Sequence, residues 1–174
     1  MKAYLFSIGL DSPRVFNANG FTEVACIYIP NRGIFNYSYE ADGTVNVCSC
    51  FISNRRILKR VQRTLETPRT ERGQGDTYQF ILSPDEVEVS VSLVDKSIDL
   101  AESFKEQQRL HDKEVIPYNL ETRKTTRDET RIFSLEDKLE PIEQELQTRK
   151  GLFVSKVREL VKVAAQQIPP VGAR

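Results

Sequence analysis

Arg56, Lys59, Arg60 and Arg63 recur at the three- and four-residue steps that bring side chains to one face of a helix, and Arg69 and Arg72 continue the set beside Gly73 and Gly75. Guanidinium and ammonium groups at this density neutralise phosphates or carboxylates, arginine by two parallel hydrogen bonds. These six are therefore candidates for binding an anion or an acidic partner. For nucleic acid, stacking aromatics are scarce, with only Tyr78 and Phe80 nearby, and no recognised DNA or RNA motif accompanies the cations.

The remaining reactive side chains are sparse. Cys26, Cys48 and Cys50 are an odd number, unsuited to a secreted disulfide framework, and a closed zinc site would need a fourth ligand. They read as small apolar residues in or near a core. His111, the single histidine, reads as a solvated cation near a helix end, and Glu86 and Glu88 as the wet side of a strand. No glycine-rich phosphate loop, GxSxG, HExxH or CxxC is present, so no catalytic, cofactor-binding or metal-binding residue is assigned. An enzyme without a recognisable motif is the third-ranked reading.

These residues need elements to position them. The chain has 174 residues, 39% hydrophobic and 29% charged, enough for a core of ordinary size. Residues 2–10 and 21–29 read as strands, the second stopped by Pro30, Asn31 and Gly33. Residues 34–40 and 44–52 read as a hairpin around Asp42-Gly43, with Phe35, Tyr37 and Tyr39 sharing a face with Val45, Val47, Ser49 and Phe51. Residues 54–65 predict a helix capped by Ser53 or Asn54. Its apolar stripe is Ile57, Leu58, Val61 and Leu65, and the cations lie opposite. Residues 67–76 read as a loop, and 77–82 and 87–94 as two further strands. A helix follows over 97–111.

Residues 121–131, ETRKTTRDETR, contain no apolar side chain and read as a flexible linker or extended arm. Beyond them the sequence is helical, with Pro141 expected at the start of a second helix and a kink near Glu140. Ile142, Leu146, Phe153, Val157, Leu160, Val161, Ala164 and Ile168 form an apolar seam. A helix over 141–168 would be about 42 Å long, against a radius of gyration of roughly 16 Å for a compact chain of this size. Either it lies across its own sheet, or its stripe needs a partner helix. Phe153, Val157, Leu160 and Val161 are the candidate protein interface for the second case.

The expected fold is α+β: an antiparallel sheet of about six strands with an inserted amphipathic basic helix, then a helical C-terminal extension. The expected division is a body over 1–113, a polar linker or arm over 114–133 and a helical extension over 134–174. Twenty-five basic residues balance 25 acidic ones, yet 54–72 hold seven basic and two acidic groups while 73–113 hold four and nine. Such a sequence dipole allows the basic helix of one copy to meet the acidic 85–106 region of another.

The functional expectation is a non-catalytic interaction or assembly subunit of a larger complex, such as a virion or scaffold, with a protein partner or a homo-oligomer and no cofactor. The alternative is a nucleic-acid-binding regulator using the basic helix. The first ten residues lack a small-x-small cleavage site and no apolar run is long enough to span a bilayer, so the expected setting is soluble, cytoplasmic and without a membrane partner.

Overall fold

The computed structural model describes residues 1–8, 21–40, 50–67 and 84–168. They form an α+β fold with an antiparallel sheet and a largely helical C-terminal part. In chain order the elements are β1 (Lys2–Ile8), β2 (Phe21–Ile29), β3 (Gly33–Glu40), β4 (Cys50–Ile52), α1 (Arg55–Glu66), β5 (Asp85–Glu88), α2 (Val91–Thr122) and α3 (Glu129–Ala165). The sheet order is β4-β3-β2-β1-β5, five strands among the described residues rather than about six. The expected strand at 77–82 and the hairpin residues 44–49 lie outside the described residues, as do Cys48, Arg69 and Arg72.

Two compact units make up the chain, Met1–Asp95 with Val157–Arg174 and, separately, Lys96–Lys156. In the first unit, register explains the core. Ala3 pairs with Val87 in β1/β5, Leu5 with Ile27 in β1/β2, Ile27 with Phe35 in β2/β3 and Phe35 with Phe51 in β3/β4, so one apolar face extends across all five strands. All are buried, and the Phe35 and Phe51 rings stack with centroids 4.7 Å apart. Gly33 is required beside them, because a Cβ there would collide with the Phe51 ring.

The opposite sheet face carries Phe6, Cys26, Tyr28 and Ile34, also buried. Two apolar faces explain why residues 26–29 are an unbroken apolar run rather than an alternation. β2 and β3 are joined through Pro30 and Asn31. Arg32 N–H donates to the Ile29 carbonyl at 3.0 Å and Asn31 has φ 61°, so proline sets the first central position and asparagine tolerates the left-handed second one. The Arg32 guanidinium then pairs with Asp95.

Of the strand expected over 87–94, only residues 87 and 88 are strand. β5 ends at Glu88, and α2 begins at Val91. Alternation through Val87, Val89 and Val91 concealed a helix start at Ser90, whose carbonyl accepts from Val94 N–H at 3.1 Å and whose hydroxyl meets that of Ser92 at 2.9 Å. Buried Val94 then follows the helical period, while Val91 turns outward.

α3 is one continuous helix, with Pro141 inside it rather than at the start of a second helix. Residues 114–122 complete α2 and 129–133 open α3, so most of the segment expected as a linker or arm is helical, with 123–128 between the helices. Side-chain pairing overcomes the lack of apolar groups there. Glu121, only 3% exposed, receives Lys124 at 2.7 Å and Arg131 at 3.3 Å.

The second unit is an antiparallel helical pair. As numbers rise along α2 their α3 partners fall: Ser103 with Arg149, Gln107 with Ile142, Tyr118 with Glu136 and Glu121 with Arg131. Phe104 stacks on Phe153 at 6.0 Å, and Arg149 donates to both the carbonyl and the hydroxyl of Ser103.

Candidate anion or acidic-partner surface

α1 is fixed by its apolar side. Leu58 and Val61 pack into the cluster of Phe6, Cys26, Tyr28 and Ile34, with Tyr4, Ile52 and Leu65 around it. Asn54 caps the helix, its Oδ1 accepting from Arg56 N–H at 2.9 Å and Ile57 N–H at 3.4 Å. The buried stripe is rotated slightly from expectation. Ile57 is 42% exposed, whereas Thr64 is buried with its hydroxyl donating to the Arg60 carbonyl.

Anchoring one side exposes the other. Arg55, Arg56, Lys59, Arg60 and Arg63 are all exposed, and at about 100° per residue they fall within an arc of roughly 140°. Arg55 belongs to this surface by its four-residue step to Lys59, a spacing already visible in the sequence. The first turn holds no acidic residue, so Arg55 and Arg56 sit at the positive end of the helix dipole, where cations disfavour the helix by about 0.3–1 kcal/mol each. An anion placed there would relieve that repulsion. Arg63, in the last turn, suits the dipole.

The candidate interface on α3 is different. Phe153, Val157 and Leu160 are 1%, 0% and 0% exposed, and Val161 is half-buried. Phe153 belongs to the helical pair, while Val157 and Leu160 belong to the sheet unit, where with Val94 and Ala164 they supply buried side chains outside the strands and α1. Phe153, Val157 and Leu160 are covered by the chain itself and act as core, while Ile142, Leu146, Val161 and Ile168 along the same seam are half-buried.

Cys26 is buried, and burial above all pushes its thiol up to about 12, leaving it protonated and unreactive at neutral pH. Cys50 is exposed and accepts from Asn36 Nδ2 at 3.2 Å. His111 is partly covered rather than fully solvated, with Nδ1 3.5 Å from Asp112 and Nε2 3.5 Å from Glu143. It borders a groove with Glu140, Glu143 and Gln144. Glu86 pairs with Lys2 at 2.7 Å. Among the described residues no group of three or more His, Cys, Asp or Glu side chains is arranged to hold a metal ion.

A feature missed in the sequence closes the sheet edge. The Glu88 N–H donates to Gln167 Oε1 at 2.8 Å, and Gln167 Nε2 donates to the Glu88 carbonyl at 2.6 Å. One side-chain amide thus satisfies both outward backbone groups of Glu88 at the β5 edge.

No helix among the described residues is long and apolar enough to cross a membrane. The chain matches no family model, no curated protein and no solved structure.

Proposed function

We propose that this chain is a non-catalytic interaction or assembly subunit that presents the cations of α1 to an acidic protein surface. One observation carries the reading: five basic side chains share the exposed side of a helix whose other side is locked into the core. Association through them is steered by charge and weakened by salt. A cytoplasmic setting accompanies the reading, supported by Cys26 and Cys50 being free thiols.

The test compares binding of a fluorescent poly-glutamate peptide and of a mixed-sequence oligonucleotide at two salt concentrations, for the unaltered chain and for Arg56→Glu with Arg63→Glu. The expected result is salt-sensitive peptide binding that falls at least about tenfold in the variant, as loss of two close charge contacts would produce. Tighter oligonucleotide binding that also depends on Arg56 and Arg63 would replace this reading with a nucleic-acid-binding regulator. If neither probe responds to the substitutions, α1 is not a contact surface.

A further inference from the structure

We infer that the acidic surface taken by α1 is carried by a second copy of this chain, on the side of α2 that holds Asp99, Glu102 and Glu106. The inference rests on the reading of α1 given above. Arg56, Lys59 and Arg63 are spaced by three and then four residues. Asp99, Glu102 and Glu106 repeat that spacing, and all six side chains are exposed. On each helix the triplet follows one side over a rise of about 10 Å, so three cations can face three carboxylates along two adjoining helices.

Among the described residues, none of the six side chains makes an ion pair. The contrast with nearby charges is informative. Lys2 is paired with Glu86 and Arg32 with Asp95, so these two cations of the first unit find carboxylates within it. Because the two triplets are different patches of one chain, the contact between copies is heterologous, joining head to tail unless a reciprocal arrangement closes it. Exposed ion pairs are individually weak, so the association is reversible and salt-sensitive.

A charge-swap experiment on the full chain tests this. One variant carries Arg56→Glu, Lys59→Glu and Arg63→Glu, the other Asp99→Lys, Glu102→Lys and Glu106→Lys, with circular dichroism checking that both remain folded. Sedimentation velocity across a concentration series at low salt is expected to show self-association of the unaltered chain and a monomer for either variant alone. An equimolar mixture of the two variants restores the complex, because each reversed triplet then meets its complement on the other protein. An unaltered chain that remains monomeric would overturn the inference, as would an associating chain for which the mixture fails to recover. If poly-glutamate binding through Arg56 and Arg63 persists while the chain is monomeric, the interaction surface stands and its partner is a different acidic protein. Loss of peptide binding as well would remove the underlying reading.

Discussion

At the scale of single residues, the charges that matter most for folding are not the ones that stand out in the sequence. Glu121 lies in a stretch without apolar side chains, yet it is nearly inaccessible because Lys124 and Arg131 converge on it. The hydrogen bond from Lys124, followed by the charges of Lys124 and Arg131, holds the carboxyl below its ordinary 4.5 against the opposing effect of burial. The sign of the pH effect follows. Folding favours the ionised form, so the contribution is fully present above the ordinary carboxylate value and is lost as pH falls through the depressed one. Glu121→Gln should therefore be less stable than the unaltered chain near neutrality, with the gap closing as acidification protonates the Glu121 carboxylate. Urea titrations at several pH values measure this, and a gap that stays constant would show that the carboxylate charge is not the cause. Spacing could not reveal this residue, since its partners lie three and ten positions away across a turn. The cations of α1 were legible because their geometry is local.

At the scale of elements, periodicity identified those whose two sides differ and misled at their junctions. β1, β2, β3 and α1 fall where β-rich composition bounded by turn residues and helical spacing place them, because those signals are local to each segment. β5 and α2 share a valine-rich segment that satisfies both periods until Ser90, and only the first helical hydrogen bond, from Val94 N–H to the Ser90 carbonyl, separates them. Pro141 misled in another way. Proline ordinarily opens or ends a helix, but here the chain continues through it, with Leu139 buried and the Ile142 carbonyl accepting from Gln107 Nε2 at 3.1 Å. Proline nevertheless removes the backbone bond to the Asp137 carbonyl and crowds that turn. Pro141→Ala is expected to stabilise the chain by on the order of 1–3 kcal/mol, restoring an N–H at an exposed position. A rise in the urea midpoint with an unchanged slope is the supporting result. A fall would mean that the helix depends on the bend proline imposes.

At the scale of the whole molecule, burial is divided unequally. The first unit holds apolar side chains on both faces of its sheet, including Phe6, Tyr28, Phe35 and Ile27, with Val61 from α1 and Val157 and Leu160 from α3. In the second unit the buried apolar residues among those described are Ala101, Leu139, Phe153 and Val154, and buried Ser97, Gln107 and Glu121 bring polar groups into the same layer. A fully buried large apolar side chain contributes roughly 1.5–3 kcal/mol, so this difference outweighs the exposed ion pairs distributed along the helices. The seam could not show this distribution, because its residues are apolar at one period whether they cover a sheet or face another helix. Local opening should follow burial, with the slowest-exchanging amides in β2, which is bonded to β1 on one side and β3 on the other. Amides near Gln107 and Ile142 should exchange earlier and respond more steeply to low concentrations of denaturant. Native-state hydrogen exchange resolved by residue distinguishes the two populations; equal protection of β2 and of both helical segments would mean that the thinner layer opens only with the sheet.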